Sequence, residues 1–176
     1  LWKGLNYAMM GETSQKRGQK MEIRLAFPNE VDAIMRVIEE AKNCLADAGS
    51  DQWQNGYPNA DIIIEDIISG QAYVALEEGE LLAYAAVTKS PEEAYEAIYE
   101  GSWQTVESEY LVFHRIAVAA DVQGQGVAQT FLEGLIEGFG YLDFRSDTHV
   151  ANKAMQHIFE KLGFKQVGKV PVDGER

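Results

Sequence analysis

The chain is poor in the residues that mark several large classes of protein. It has a single cysteine, Cys44, so neither a disulfide framework nor a paired-cysteine metal site can form, and we expect a reducing, cytoplasmic compartment. No run approaches the ~20 apolar residues that a membrane span needs, and no apolar block with a small-residue cleavage site opens the sequence. These absences predict a protein that is neither exported nor embedded in a membrane, and they favour no metal site.

Positive charge is also scarce. Fifteen Lys and Arg stand against 28 Asp and Glu, which gives a formal net charge of −13. A field of that sign repels phosphate backbones and attracts cations, so it argues against a nucleic-acid partner and mildly favours a positively charged substrate. In many acidic proteins such charge is only a solvated surface, and that alternative stays open.

What is present fits one globular domain. The 176 residues, 46% of them hydrophobic, are enough to close a single core. Residues 1–20 show neither helical nor strand periodicity, so we interpret them as an N-terminal extension and place the domain at residues 21–176. We expect the extension to lie against its own domain or against a neighbouring copy, as in a homodimer.

Periodicity and turn signals predict alternating strands and helices. A helix should begin at Pro28 with Asn29 as N-cap, and Asn59 should cap a second one whose isoleucines also allow a strand. Gly79 predicts a hairpin turn. The remaining predicted elements are strands at 21–27, 71–76, 81–88, 110–118, 141–148 and 164–170 and helices at 91–100, from 127 onward and at 152–162.

A glycine turn between a strand and a helix is the strongest chemical signal. It reads Gln123, Gly124, Gln125, Gly126, Val127, Ala128. The N–H groups of a helix start are unpaired and point with the positive end of the helix dipole, so a phosphate would bind there, although a plain turn is the alternative. The spacing fits neither a P-loop nor a dinucleotide fingerprint.

Two segments resemble the GNAT superfamily of N-acetyltransferases. Gln123, Gly126 and Ala128 resemble the signature [Q/R]xxGx[G/A], and they follow a strand that ends Ile116-Ala117-Val118. Residues 152–164 resemble the family's N-x-x-A-x-x-x-[Y/F]-E-K-x-G-F segment, so the likeness spans about 21–170. The resemblance implies an α/β (α+β) fold, with a mixed, mostly antiparallel sheet flanked by helices and two splayed strands that form a CoA cleft.

The resemblance also implies which residues hold acetyl-CoA, the expected co-substrate. The amides of residues 123–128 would bind the pyrophosphate, and Asn152 would reach the pantetheine arm. Ile116, Ala117 and Val118 would line the thioester, with the N–H of Val118 polarising the acetyl carbonyl.

A histidine on the same strand is the predicted general base. Strict alternation would put Val112, His114, Ile116 and Val118 on one face, so that His114 looks toward the thioester. A hydrogen-bonded sheet histidine is the alternative, and Glu107 and Glu109 are fallback bases.

A further histidine and a phenylalanine complicate the assignment. His149 would either shuttle protons or cap the turn before the last helix. Where the family often has a tyrosine as general acid, this chain has Phe159, which cannot donate a proton.

The sequence therefore predicts an enzyme that acetylates the primary amine of a small molecule or peptide by direct attack in a ternary complex. Aromatic side chains, Trp53, Tyr57 and Tyr95, are expected in the acceptor pocket with His149, although Trp53 could instead fill the core. The alternative raised by Phe159 is a weak or inactive CoA-binding regulatory module. A generic phosphate-binding domain would leave the match at 152–164 unexplained.

Overall fold

A seven-stranded sheet with helices on both faces forms the body of the molecule. The computed structural model describes residues 2–9, 21–105, 109–140 and 143–172. The strands are β1 Trp2–Met9, β2 Glu22–Leu25, β3 Ala72–Glu77, β4 Glu80–Lys89, β5 Leu111–Val118, β6 Phe144–His149 and β7 Lys165–Val172. The helices are α1 Val31–Asp47, α2 Ala60–Ile68, α3 Glu93–Glu96, α4 Val127–Phe139 and α5 Lys153–Lys161, with 3₁₀ turns at Pro28–Glu30 and Ala120–Val122.

The strand order is β2-β3-β4-β5-β6-β1-β7, and the one parallel neighbour pair in it is β5 with β6. Those two strands pair only from Leu111 with Phe144 to Phe113 with Ser146. Beyond these pairs, β5 continues to Val118 and β6 continues to His149, but the two strands no longer pair with each other. The sheet therefore opens between them. The predicted fold class, including the splayed strands, is confirmed.

The N-terminal strand was missed by the sequence patterns. β1 lies between β6 and β7 and pairs antiparallel with both, so residues 2–9 lie in the sheet of their own chain rather than on a neighbouring molecule. Residues 2–9 carry no sustained alternation of apolar and polar side chains, and the strand is instead paired through its backbone with a neighbour on each side. Residues 10–20 lie outside the described part of the chain.

Of the two predicted helix N-caps, one is present in the structure. Asn59 caps α2 as expected, since its side chain accepts a hydrogen bond from the Ile62 N–H at 3.1 Å. Asn29 is not the N-cap of α1. A 3₁₀ turn precedes that helix, and the carboxylate of Glu30 accepts from the Phe27 N–H at 2.7 Å.

The helix predicted at 91–100 is much shorter than expected. Only Glu93–Glu96 is helical, because the chain beyond it pairs with the outer edge of β7. The N–H of Tyr99 donates to the carbonyl of Lys169 at 2.8 Å, and that of Ser102 donates to Val167 at 3.0 Å. Gly101 fits there because a Cβ would lie 2.0 Å from the Val167 oxygen.

The two faces of the sheet bury separate cores. On the face that we call the α4 side, Phe113, Phe144 and Phe159 pack with α4. On the opposite face, the α1 side, Tyr84 and Ala117 pack under α1 and α2. Across the described residues, no helix has both the length and the apolarity to cross a membrane.

Candidate active site

The glycine turn is an exposed loop that leads into α4. Gly124 and Gly126 have φ angles of +75° and +86°, which favour glycine, and residues 123–126 are exposed. The first hydrogen bond within the helix runs from the Thr130 N–H to the Gly126 carbonyl at 3.0 Å. The N–H groups of Val127 and Ala128 therefore have no helical carbonyl to pair with, and they can bind an anion.

The loop is anchored at both ends. The side-chain amide of Gln123 donates to the carbonyl of Val118 at 3.2 Å, which ties the loop to the end of β5. Ala128 is only 8% exposed, so the first turn of α4 packs closely on the sheet. The predicted anion site thus has a fixed position beside the opening between β5 and β6.

The amide of Val118 faces that opening. Val118 pairs with Ala83 on β4, while the next N–H, of Ala119, donates to the Leu82 carbonyl at 2.8 Å. Such spacing makes Ala83 and Val118 a non-hydrogen-bonded pair, in which the backbone N–H and C=O of each residue point away from the other strand. The N–H of Val118 consequently points toward the side where β6 has separated from β5.

The predicted alternation along β5 is broken by a bulge. Tyr84 pairs with Ala117 but Ala86 pairs with His114, so two residues of β5, Arg115 and Ile116, stand opposite one of β4. Arg115 has a φ of +54°, which is unusual for a residue with a side chain. The expectation that His114 shares a face with Ile116 and Val118 is wrong for this reason.

After the bulge, the side chains of β5 divide between the two faces. Ile116 and Val118 pack against the α4-side core, whereas Ala117 packs on the α1 side. His114 pairs with Ala86, which belongs to the α1-side core, so it lies on that side as well. Apolar side chains of β5 therefore border the cleft on the α4 side of the sheet, and His114 borders it on the α1 side.

A buried charge network holds the bulge in place. Arg115 donates to both carboxylate oxygens of Asp66, at 2.6 and 2.9 Å, and to the hydroxyl of Tyr57 at 2.9 Å. The hydroxyl of Tyr84 donates to the same carboxylate at 2.5 Å, and Asp66 is 4% exposed. Burial, and then the charge of Asp66, raise the pKa of Tyr84 above its usual value.

His114 has a carboxylate partner. Its Nε2 lies 3.2 Å from an oxygen of Glu92, and the two side chains are 10% and 14% exposed. The ring of Tyr95 lies 6.5 Å from the imidazole. Sequence patterns did not single out Glu92, because it lies at the start of the helix predicted at 91–100 and belongs to no catalytic motif.

Residues of β6 line the other side of the opening. The hydroxyl of Tyr95 donates to Asp147 at 2.8 Å. The Nδ1 atom of His149 accepts from the Ala151 N–H at 3.1 Å, and its Nε2 lies 3.3 Å from Asp51. These contacts match the capping alternative for His149.

Asn152 begins α5. Its side-chain oxygen accepts from the Met155 N–H at 3.1 Å, and its amide nitrogen lies 3.3 Å from the side-chain oxygen of Gln52. The structure thus gives Asn152 a capping role close to the opening, and a contact with pantetheine remains a prediction.

Three of the predicted acceptor residues serve the protein interior. Trp53 is 7% exposed and packs in the α1-side core, which is the alternative that we considered for it. Tyr57 is bound to Arg115. Tyr95 lies beside His114 but is only 1% exposed, in a buried cluster with Val112 and Val170, so a role for any of the predicted residues in binding an acceptor stays a prediction.

Phe159, which stands where the family often has its general acid, and the two fallback bases lie in different surroundings. Phe159 is fully buried, with its ring 5.2 Å from that of Phe164. Glu109 is paired with Lys89 at 3.3 Å, and Glu107 lies outside the described residues. In the described ranges, no group of His, Cys, Asp and Glu side chains could hold a metal ion.

Comparison with known proteins decides the family. The model of the acetyltransferase (GNAT) family matches residues 37–164. The chain belongs to the GNAT acetyltransferase family. A GNAT-family acetyltransferase from Streptococcus agalactiae is 56% identical over 88% of this chain and 90% of its own, with a TM-score of 0.83. No curated protein matches the chain.

More distant structures share the GNAT fold. One from Listeria monocytogenes is 20% identical over 90% of this chain and 96% of its own, with a TM-score of 0.67. The PaiA N-acetyltransferase of Thermoplasma acidophilum, solved in complex with coenzyme A, is 15% identical over 86% of this chain and 98% of its own, with a TM-score of 0.61.

Proposed function

We propose that this GNAT protein is an acetyl-CoA-dependent N-acetyltransferase that acetylates a primary amine of a small molecule or peptide by direct attack in a ternary complex. The observation that carries the proposal is the exposed glycine loop at the start of α4, beside an opening toward which the Val118 N–H points. A distant relative with the same fold has been solved with coenzyme A, which supports the choice of donor.

The donor side fits the diphosphate and thioester of acetyl-CoA. A Cβ placed on Gly124 or Gly126 would meet nothing within 4 Å, so the loop is open above its amides. The N–H groups of Val127 and Ala128 would bind pyrophosphate, and that of Val118 would donate to the acetyl carbonyl. Ile116 and Val118, on the same side as α4, would flank the pantetheine end.

The acceptor would enter from the α1 side. His114 lies on that face, whereas the side chains of Ile116 and Val118 lie on the α4 side. The general base and acetyl-CoA would therefore lie on opposite faces of the sheet at the opening. His114 would take one proton from the ammonium, and the freed amine would form the N–C bond as the C–S bond breaks. The second proton, which the nitrogen loses as it becomes an amide, would go to solvent. The bulge at Arg115 therefore serves the reaction, because it separates the two sides.

The CoA thiolate that leaves in this reaction cannot receive its proton from Phe159. Phe159 has no donor and is buried against Phe164. We propose that solvent protonates the thiolate. The same observation favours a second candidate function, a regulatory module that binds CoA and turns it over slowly or not at all.

The proposal is tested by release of free thiol from acetyl-CoA in the presence of a broad panel of primary amines. We expect release with at least one amine, and His114→Ala should lower kcat about 100-fold, since a positioned base contributes at least that factor. His157→Ala, an exposed histidine on α5, is the matched control and should keep the wild-type rate.

Calorimetry with acetyl-CoA separates the two candidates. Binding together with thiol release supports the enzyme, whereas binding with no release for any amine supports the regulatory module. Absence of binding would contradict both.

A further inference from the structure

Beside the predicted base lies a carboxylate that the GNAT signature does not include. An oxygen of Glu92 lies 3.2 Å from Nε2 of His114, and both side chains are largely buried. Glu92 comes just before α3 and therefore reaches β5 from a separate segment. The pair joins two parts of the chain at the α1 side of the opening.

The position of Glu92 is itself fixed by the sheet. Its backbone N–H donates to the hydroxyl of Tyr110 at 3.1 Å, and the guanidinium of Arg145 lies 3.6 Å from the centre of the Tyr110 ring. Its carbonyl accepts from the Tyr95 N–H at 3.0 Å. The backbone of Glu92 is thus held on both sides, which limits where its carboxylate can lie.

From this geometry we propose that Glu92 is a positioning residue that fixes the tautomer of His114. An ionised carboxylate only accepts hydrogen bonds, so the imidazole nitrogen that faces it must carry the hydrogen. Nε2 is that nitrogen, and the lone pair of the neutral ring is left on Nδ1. The inference rests on the proposed function, and it names Nδ1 as the atom that receives the proton of the substrate ammonium.

The proton balance is simple. In the resting state Nε2 carries a hydrogen and Nδ1 none. When the ammonium gives up its proton, Nδ1 gains it, and the resulting imidazolium faces the negative charge of Glu92 at 3.2 Å. Glu92 does not itself exchange a proton. It orients the ring and stabilises the charged form, as the carboxylate of a serine-protease triad does.

The kinetic test is Glu92→Gln, which keeps the shape of the side chain but can donate as well as accept. We expect kcat with a reactive amine to fall about 100-fold, because part of the population holds the wrong tautomer, while KM for acetyl-CoA stays within about twofold. Glu93→Gln, the exposed neighbour, is the matched control and should leave both constants unchanged.

A double variant separates positioning from general damage. If Glu92 acts through His114, then adding Glu92→Gln to the His114→Ala variant should lower kcat by less than about twofold. A further loss as large as in the wild-type background would overturn the proposal. Glu92→Asp, which restores a carboxylate, should recover part of the rate, and no recovery would count against it.

The decisive readout does not depend on turnover. In ¹⁵N-histidine-labelled wild-type protein, a two-bond ¹H–¹⁵N spectrum at a pH where His114 is neutral should show Nε2 protonated and Nδ1 bare, with the signal assigned by its loss in His114→Ala. Glu92→Gln should shift the population toward Nδ1–H. Wild-type protein with Nδ1 protonated would overturn the inference even if no acceptor amine were found, whereas failure of thiol release alone would leave the tautomer to be decided by this spectrum.

Discussion

Two departures from regular backbone lie on either side of Val118, and they differ in almost every respect. The loop after it carries Gly124 and Gly126 with positive φ, exposed to solvent and built from local sequence. The bulge before it places Arg115 at a φ of +54°, partly buried and held by Asp66 from a distant helix. Glycine adopts such angles at little cost, whereas Arg115 adopts one because a charge network holds it there.

The contrast teaches that this site depends on two kinds of support. The loop is held by local features, namely its glycines, the Gln123 side chain and the start of a helix, so we expect its alteration to affect binding of acetyl-CoA more than stability. The bulge needs contacts with Asp66, Tyr57 and Tyr84, so its loss should lower the stability of the fold. Because the bulge sets the face of the sheet on which His114 lies, its loss should also lower the rate of acetyl transfer.

The largest effect should come from breaking the network of the bulge. Asp66→Asn removes the buried carboxylate that pairs with the largely buried Arg115 guanidinium, and we expect the free energy of unfolding to fall by about 3–5 kcal/mol, measured by urea titration. Glu65→Gln, exposed on the same helix, should change it by less than about 0.5 kcal/mol. A loss below about 1 kcal/mol for Asp66→Asn would show that the network does not hold the bulge.

The loop should respond in binding. Gly126→Ala forces a side chain into φ +86° and places a methyl group where the anion would approach, so the Kd for acetyl-CoA should rise about 10- to 100-fold. Gly138→Ala, farther along α4 where a Cβ meets nothing within 4 Å, should leave the Kd unchanged and raise stability by roughly 0.5–1 kcal/mol. Equal Kd values of the two variants for acetyl-CoA would show that the glycine loop does not bind acetyl-CoA.

The smallest effect should come from the cap beside the opening. Asn152→Ala and Asn59→Ala each remove the side-chain cap of a helix, so each should cost about 1 kcal/mol of stability. Only Asn152→Ala should also raise the KM for acetyl-CoA, by a few-fold, if that side chain reaches the pantetheine arm. Equal KM values would leave Asn152 as a cap alone.

The sequence predicts well what depends on neighbouring residues. The glycine loop, the cap at Asn59 and the strand that ends at Val118 follow from local chemistry, and the structure has all three. The opening of the sheet between β5 and β6 is a property of the whole fold, and it was predicted only through the resemblance to a family.

What the sequence could not predict depends on distant partners. The bulge at Arg115 reverses a period-two pattern, because Asp66, 49 positions away, binds the guanidinium. The partnership of Glu92 with His114 spans 22 positions, and the strand at Trp2–Met9 is held by two strands from the other end of the chain. None of these long-range contacts leaves a local signature.

The proposed function requires that the bare amides at the start of α4 and the end of β5 bind acetyl-CoA. Titration of ¹⁵N-labelled protein with acetyl-CoA, followed by amide chemical shifts, tests it directly. We expect saturable shifts that are largest at Gly124, Gly126, Val127, Ala128 and Val118, on either side of the opening. Saturating acetyl-CoA that leaves those five signals in place would contradict it.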